Sequence, residues 1–187
     1  ECQAHMVAML DDNVGGNFFH YLVPRLDKQA FLIARIPDWG SLNLLPGAAN
    51  IYFEGTYVGE TSIHANTMTD TLELALGKDR GVIAERKKED EKVEKEKLGK
   101  KAVKTIIYSI QIKNNRPAGI NLIVEDQLPV SQNEEIVIKP VDTGKAKYAE
   151  TTGMLTWKTK LPAKTTKMID FSYVIGYDKD KQLSNVY

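Results

Sequence analysis

The sequence predicts an all-β protein, an antiparallel β-sandwich of about ten or more strands. Three observations carry that prediction. Apolar residues recur with a period of two, the alternation of a strand with one face on a core and one in water. Turn residues (Gly, Pro, Asn) interrupt the alternation about every dozen residues, a spacing typical of sandwiches. No Gly-rich phosphate turn leading into a helix is present, so a parallel α/β fold is not expected. The 187 residues are 42% apolar and 27% charged, ordinary for a globular chain and far from a disordered one.

The clearest strands lie in the second half. Ile106, Tyr108, Ile110 and Ile112 point one way between Thr105 and Lys113, with Ile107 the exception. Leu155, Trp157, Thr159 and Leu161 alternate with lysines and a threonine, which places Trp157 in the core. From Met168 to Tyr177 the inward set is Ile169, Phe171, Tyr173, Ile175 and Tyr177. Weaker signals cover His5–Leu10, Phe19–Val23, Ala30–Ile36, Ile51–Phe53, Thr56–Ile63, Thr71–Leu76, Ile120–Glu125 and Glu135–Lys139. Glu54-Gly55 reads as a tight hairpin with Gly at the positive-φ position. Gly47 and Gly77 fit turn positions of unusual φ.

One stretch departs from the pattern. From Glu85 to Lys104, 15 of 20 residues are charged, six acids and nine bases. Propensity alone favours a helix, and Glu91 and Lys95 stand in the stabilising i,i+4 order. Only Val93 and Leu98 interrupt the polar run between Ala84 and Ala102, so a helix has no stripe to bury. The alternatives are a solvated rod or two extended arms turning near Leu98-Gly99. The chain reads as one module over 1–187; any division into sublobes, 1–97 and 98–187, falls here.

Charge and motifs exclude more than they identify. Lys and Arg total 25 and so do Asp and Glu, which gives no reason to expect nucleic acid. No apolar run approaches the ~20 residues of a membrane span. Cys2 is the single cysteine, so no internal disulfide forms. His5, His20 and His64 lack metal-ligand spacing, and no metal or other cofactor is expected. Asp11 to Asn17 resembles a calcium loop, but Leu22 occupies the position of the bidentate Glu. No Gly-x-Ser-x-Gly elbow exists, and Asp38, Glu54, Glu60 and Asp126 are merely acids near turns. No catalytic residue is assigned.

Aromatic residues give the remaining candidates for ligand binding. Trp39 follows a strand in Pro37-Asp38-Trp39-Gly40, and Tyr52 and Tyr57 flank the Glu54-Gly55 turn. Exposed rings beside Asp or Asn can stack on a sugar or anchor a protein. The competing reading is that each ring caps the edge of the core.

Several phrases recur together: Tyr21 to Leu32 leading into Ile36-Pro37-Asp38-Trp39, then Leu45 to Tyr52, and Asp70 to Asp79. Asp126 to Ser131 and Gly153 to Trp157 follow in order. Together they resemble the uncharacterised C-terminal domain of mucoidy inhibitor A-like proteins. The resemblance implies a C-terminal module of a longer, exported bacterial protein of the cell envelope. It implies no catalytic residue. It also sets the charged stretch between two strands, which favours the extended arms. The expectation is a non-enzymatic interaction or scaffold module whose partner is an envelope protein. The alternative is a carbohydrate-binding module for envelope polysaccharide using Trp39, Tyr52 or Tyr57.

Overall fold

A computed structural model describes residues 15–42, 44–53, 55–63, 71–95 and 101–178. Readings on Cys2, His5, Asp11, Glu54, His64 and the Leu98-Gly99 turn lie outside the described residues. Among the described residues are eleven strands and one 3-10 turn: β1 (Asn17–Leu22), β2 (Gln29–Pro37), the turn Trp39–Leu42, β3 (Gly47–Phe53) and β4 (Thr56–Ile63). β5 (Thr71–Lys95), β6 (Lys101–Asn114), β7 (Ile120–Gln127) and β8 (Val137–Asp142) follow. β9 (Lys147–Ala149), β10 (Met154–Leu161) and β11 (Thr166–Asp178) complete the series. The all-β expectation is met and ten of the elements sit on expected segments. The three-residue β9 is new, too short for any periodicity to register.

The chain forms two compact units. One comprises Glu1–Phe18 and Ile33–Gly77, the other Phe19–Leu32 and Lys78–Tyr187. In the first unit β3 and β4 make a two-stranded ribbon, and Arg35 on β2 reaches Glu73 on β5 at 2.5 Å. In the turn after β2, Trp39 is buried and Asp38 takes a positive φ of 50°.

The other nine strands form one sheet in the order β8-β11-β6-β5-β2-β1-β7-β10-β9. Its pairing is not wholly antiparallel as expected, because β1 and β7 run parallel, His20 opposite Leu122. Hairpin logic fixes direction only between strands joined by a tight turn. About a hundred residues separate this pair, and either direction is open to them.

The second unit is a curled sheet. β8 and β9 stand at opposite ends of the strand order, yet only residues 143–146 join them. So short a loop spans at most about 18 Å, so the two ends of the sheet must come together. Trp157 of β10 accordingly meets Phe171 of β11, ring centres 5.8 Å apart. Inside the curl lie Leu22, Val82, Ile110, Ile112, Leu122, Val124, Leu155, Ile169 and Ile175. Asn114 is buried among them, and its amide donates to the carbonyls of Ala118 (3.0 Å) and Pro162 (2.9 Å). One polar side chain thereby fastens two turns.

The charged stretch is extended. β5 and β6 pair antiparallel from Val82↔Asn114 to Lys95↔Ala102, with a bulge between Lys88 and Asp90. The ion pairs Lys88–Glu91 (2.7 Å) and Lys104–Glu91 (2.6 Å) support the arms. Two glycine expectations change: Gly77 has a positive φ of 98° but lies within β5, and Gly47 opens β3.

Candidate functional site

The three ring candidates part company. Trp39 is 5% exposed, so its ring presents no open face to a ligand. Tyr52 and Tyr57 are 66% and 52% exposed and face each other across the β3–β4 ribbon. Their ring centres are 5.5 Å apart, with planes inclined at 61°, an edge-to-face pair.

Local backbone geometry makes that pair. Gly55 supplies the positive φ of 77° that the turn requires. A register shift at Ile51 and Tyr52 leaves Val58 as the extra residue, and such a bulge moves the side chains beyond it to the other face. Tyr57 therefore joins Glu60 and Ser62 on the face of Tyr52, Asn50 and Ala48. No residue of either strand is fully buried. The result is an open patch: two rings, an amide and a carboxylate on a two-stranded ribbon.

Other polar groups converge in the second unit. Asp79 accepts from Arg116 Nη1 at 2.5 Å and the Gly81 amide at 2.8 Å, and His20 Nε2 lies 2.7 Å from it. Burial pushes the Asp79 carboxyl up, but the bonds from His20, Gly81 and Arg116 outweigh that and hold it below its usual range. His20 is thus tied into an ion cluster. Asp126, considered above only as an acid near a turn, is fully buried and bonded to Arg86 at 2.6 Å. Asp38 helps close the 3-10 turn through its carbonyl, which accepts from Ser41 Oγ at 2.7 Å. Glu60 is exposed on β4. Asp79 and Asp126 thus serve separate ion pairs of the second unit.

Sequence reading missed the Arg86–Asp126 and His20–Asp79 pairs, although a signal was available. Arg86 is in phase with buried Val82 and Ala84, and Asp126 is in phase with buried Leu122 and Val124. Opposite charges on two inward faces point to a buried pair. Among the described residues no group of three or more His, Cys, Asp or Glu could hold a metal ion. No described helix is long and apolar enough to cross a membrane.

Comparison with known proteins gives two findings. A family model described as Domain of unknown function (DUF4139) matches residues 22–179. Protein F37C4.5 of Caenorhabditis elegans is 25% identical over 120 residues, covering 62% of this chain and 21% of that protein. The chain thus spans about a fifth of that curated relative's length.

Proposed function

The chain belongs to the DUF4139 family, and from its geometry we propose that it is a non-enzymatic interaction module that engages a protein partner through its tyrosine face. One observation carries the reading: Tyr52 and Tyr57 pair in the open on a ribbon where nothing is fully buried. Two-stranded ribbons are marginal by themselves, so covering this face with a partner stabilises it. Tyrosine is enriched in protein interfaces because its ring buries apolar area while its hydroxyl keeps a polar contact.

Polysaccharide binding is the second reading, favoured by Asn50 and Glu60 beside the rings. It ranks lower because planes inclined at 61° make no common flat surface for a chain of sugars, and because Trp39 is buried. The likeness to mucoidy inhibitor A-like proteins, with its exported, cell-envelope setting and sandwich form, belongs to this proposal. Fractionation of cells producing the full-length protein tests the setting.

The test of the face is retention from envelope extract on the immobilised chain, assayed for both protein and sugar. A specific protein retained by the native chain and lost with Tyr52→Ala/Tyr57→Ala is expected. Retained polysaccharide, lost with the same pair of changes, overturns the protein reading in favour of the sugar one. Retention indifferent to both changes removes the face from consideration.

A further inference from the structure

The curl of the second unit leaves a seam. β10 pairs with β9 only from Met154 to Thr156, so Trp157 to Leu161 has no strand on its outer edge. β11 pairs with β8 only from Ser172 to Gly176, so Thr166 to Phe171 likewise has no strand on that side, the Gly144 backbone lying against Asp170. These two stretches flank the turn at Pro162 to Thr165 and belong to opposite ends of the strand order. Between them lies a cavity of about 520 Å³. The loop after β8 closes its other end, where the Trp157 indole donates to the Gly144 carbonyl at 2.9 Å. Gly144 packs so closely on β11 that an added Cβ would stand 2.3 Å from the Asp170 carbonyl.

An open strand edge is a row of unmet backbone donors and acceptors, and an added strand is what satisfies it. The five residues from Trp157 to Leu161 offer an edge about 17 Å long, enough for a strand of typical length. The volume lies within the range of ordinary ligand clefts, about 300–1,000 Å³. Charge selects the occupant. Lys167 donates to Thr159 Oγ1 at 2.9 Å, and Asp142 accepts the Gly144 amide at 2.8 Å. Those neutral partners leave both charges in place, so the described lining carries three ammonium groups, Lys145, Lys158 and Lys167, against the carboxylates of Asp142 and Asp170.

We propose that this seam takes up an extended acidic peptide segment by strand addition along β10. Main-chain ladder bonds supply the affinity, and the excess of lysine over aspartate in the lining supplies the preference for acidic side chains. The inference rests on the reading of the chain as an interaction module, but on a different surface from the tyrosine face.

The experiment titrates the purified chain with a fluorescent octapeptide alternating threonine and glutamate. Its lysine counterpart and two versions N-methylated at alternate amides serve as comparisons. The glutamate peptide is expected to bind about tenfold tighter than the lysine one. Lys158→Glu, an exposed change, should reverse that order. At least one methylated version should lose binding, because methylation removes ladder donors, and amide shifts should centre on Trp157 to Leu161. Equal affinity for both peptides, indifference to both methylation patterns, or no binding overturns the proposal. Tyr52→Ala/Tyr57→Ala separates the two ideas. Peptide binding should survive it while partner retention fails, and failure of the peptide alone leaves the tyrosine face standing.

Discussion

Arg86 donates through Nε to Asp126 at 2.6 Å while its guanidinium carbon lies 3.7 Å from the centre of the Tyr108 ring. Asp126 has no exposed side-chain area and also accepts the Gln127 amide at 2.8 Å. Tyr108 stacks with Phe171 and Tyr173, ring centres 5.4 and 6.3 Å away. One ion pair therefore joins β5 to β7 and anchors the aromatic stack of β6 and β11. Removing one member of a buried pair strands the other charge in a low-dielectric interior, a loss of about 3–5 kcal/mol.

Arg86→Met should therefore lower the stability of the second unit by about 3–5 kcal/mol, measured by urea unfolding. Adding Asp126→Asn should recover much of that loss, since the stranded charge is gone. A single-variant loss of under about 1 kcal/mol would mean that water reaches Asp126 and the pair is not buried in effect.

Asp79 gives the acid-side behaviour. Its folded carboxyl titrates below its unfolded value of about 3.9. The stabilisation is present above the unfolded value and is lost as pH falls through the lower folded one. Unfolding midpoints measured from neutral pH downward should fall less steeply below about pH 4 in Asp79→Asn than in the native chain. Parallel curves would assign the acid loss to other carboxylates.

Tyr173 gives the alkaline counterpart. Burial, with Tyr108 alongside, pushes its hydroxyl up to about 12. A raised phenol contributes stability that is whole below the unfolded value of about 10 and is lost as pH rises through the folded one. Ultraviolet titration should show one late tyrosine near pH 12, absent in Tyr173→Phe. A Tyr173→Phe profile identical to the native one would place the late ionisation elsewhere.

The loop that brings the ends of the sheet together holds two residues at positive φ, Gly144 at 56° and Lys145 at 66°. Gly144→Ala should cost more than the roughly 1–2 kcal/mol of a left-handed alanine, because the methyl also meets the Asp170 carbonyl. Lys145→Gly should instead stabilise by up to about 1 kcal/mol through release of strain. Thermal unfolding of both variants checks the pair; equal effects of one sign would show that the loop does not hold this geometry.

Much of the fold was legible in the sequence. The inward phases of β6, β10 and β11 were readable because each strand reports its own burial through a period of two. The charged stretch was only half legible: with Val93 and Leu98 alone a helix had nothing to bury, which left a solvated rod or extended arms open, and the family resemblance favoured the arms. Of the candidate site, the rings were legible but their fates were not. Trp39 and Tyr52 look alike as residues near turns, and only packing separates a buried ring from an exposed one. Tyr57 shares a face with Tyr52 through the bulge at Val58, which Gly59 beside it hints at without fixing which residue is the extra one.

The sequence by itself determined that this chain is built of strands, where most of them lie and which of their faces turn inward. Those are local properties, written in alternation and turn residues. The tertiary structure decided that β1 runs parallel to β7, that β8 and β9 bring the ends of one sheet together, and that Arg86 finds Asp126. Each of these joins residues distant in the chain. Periodicity gives the direction in which a side chain points, and only the assembled sheet supplies what it meets there.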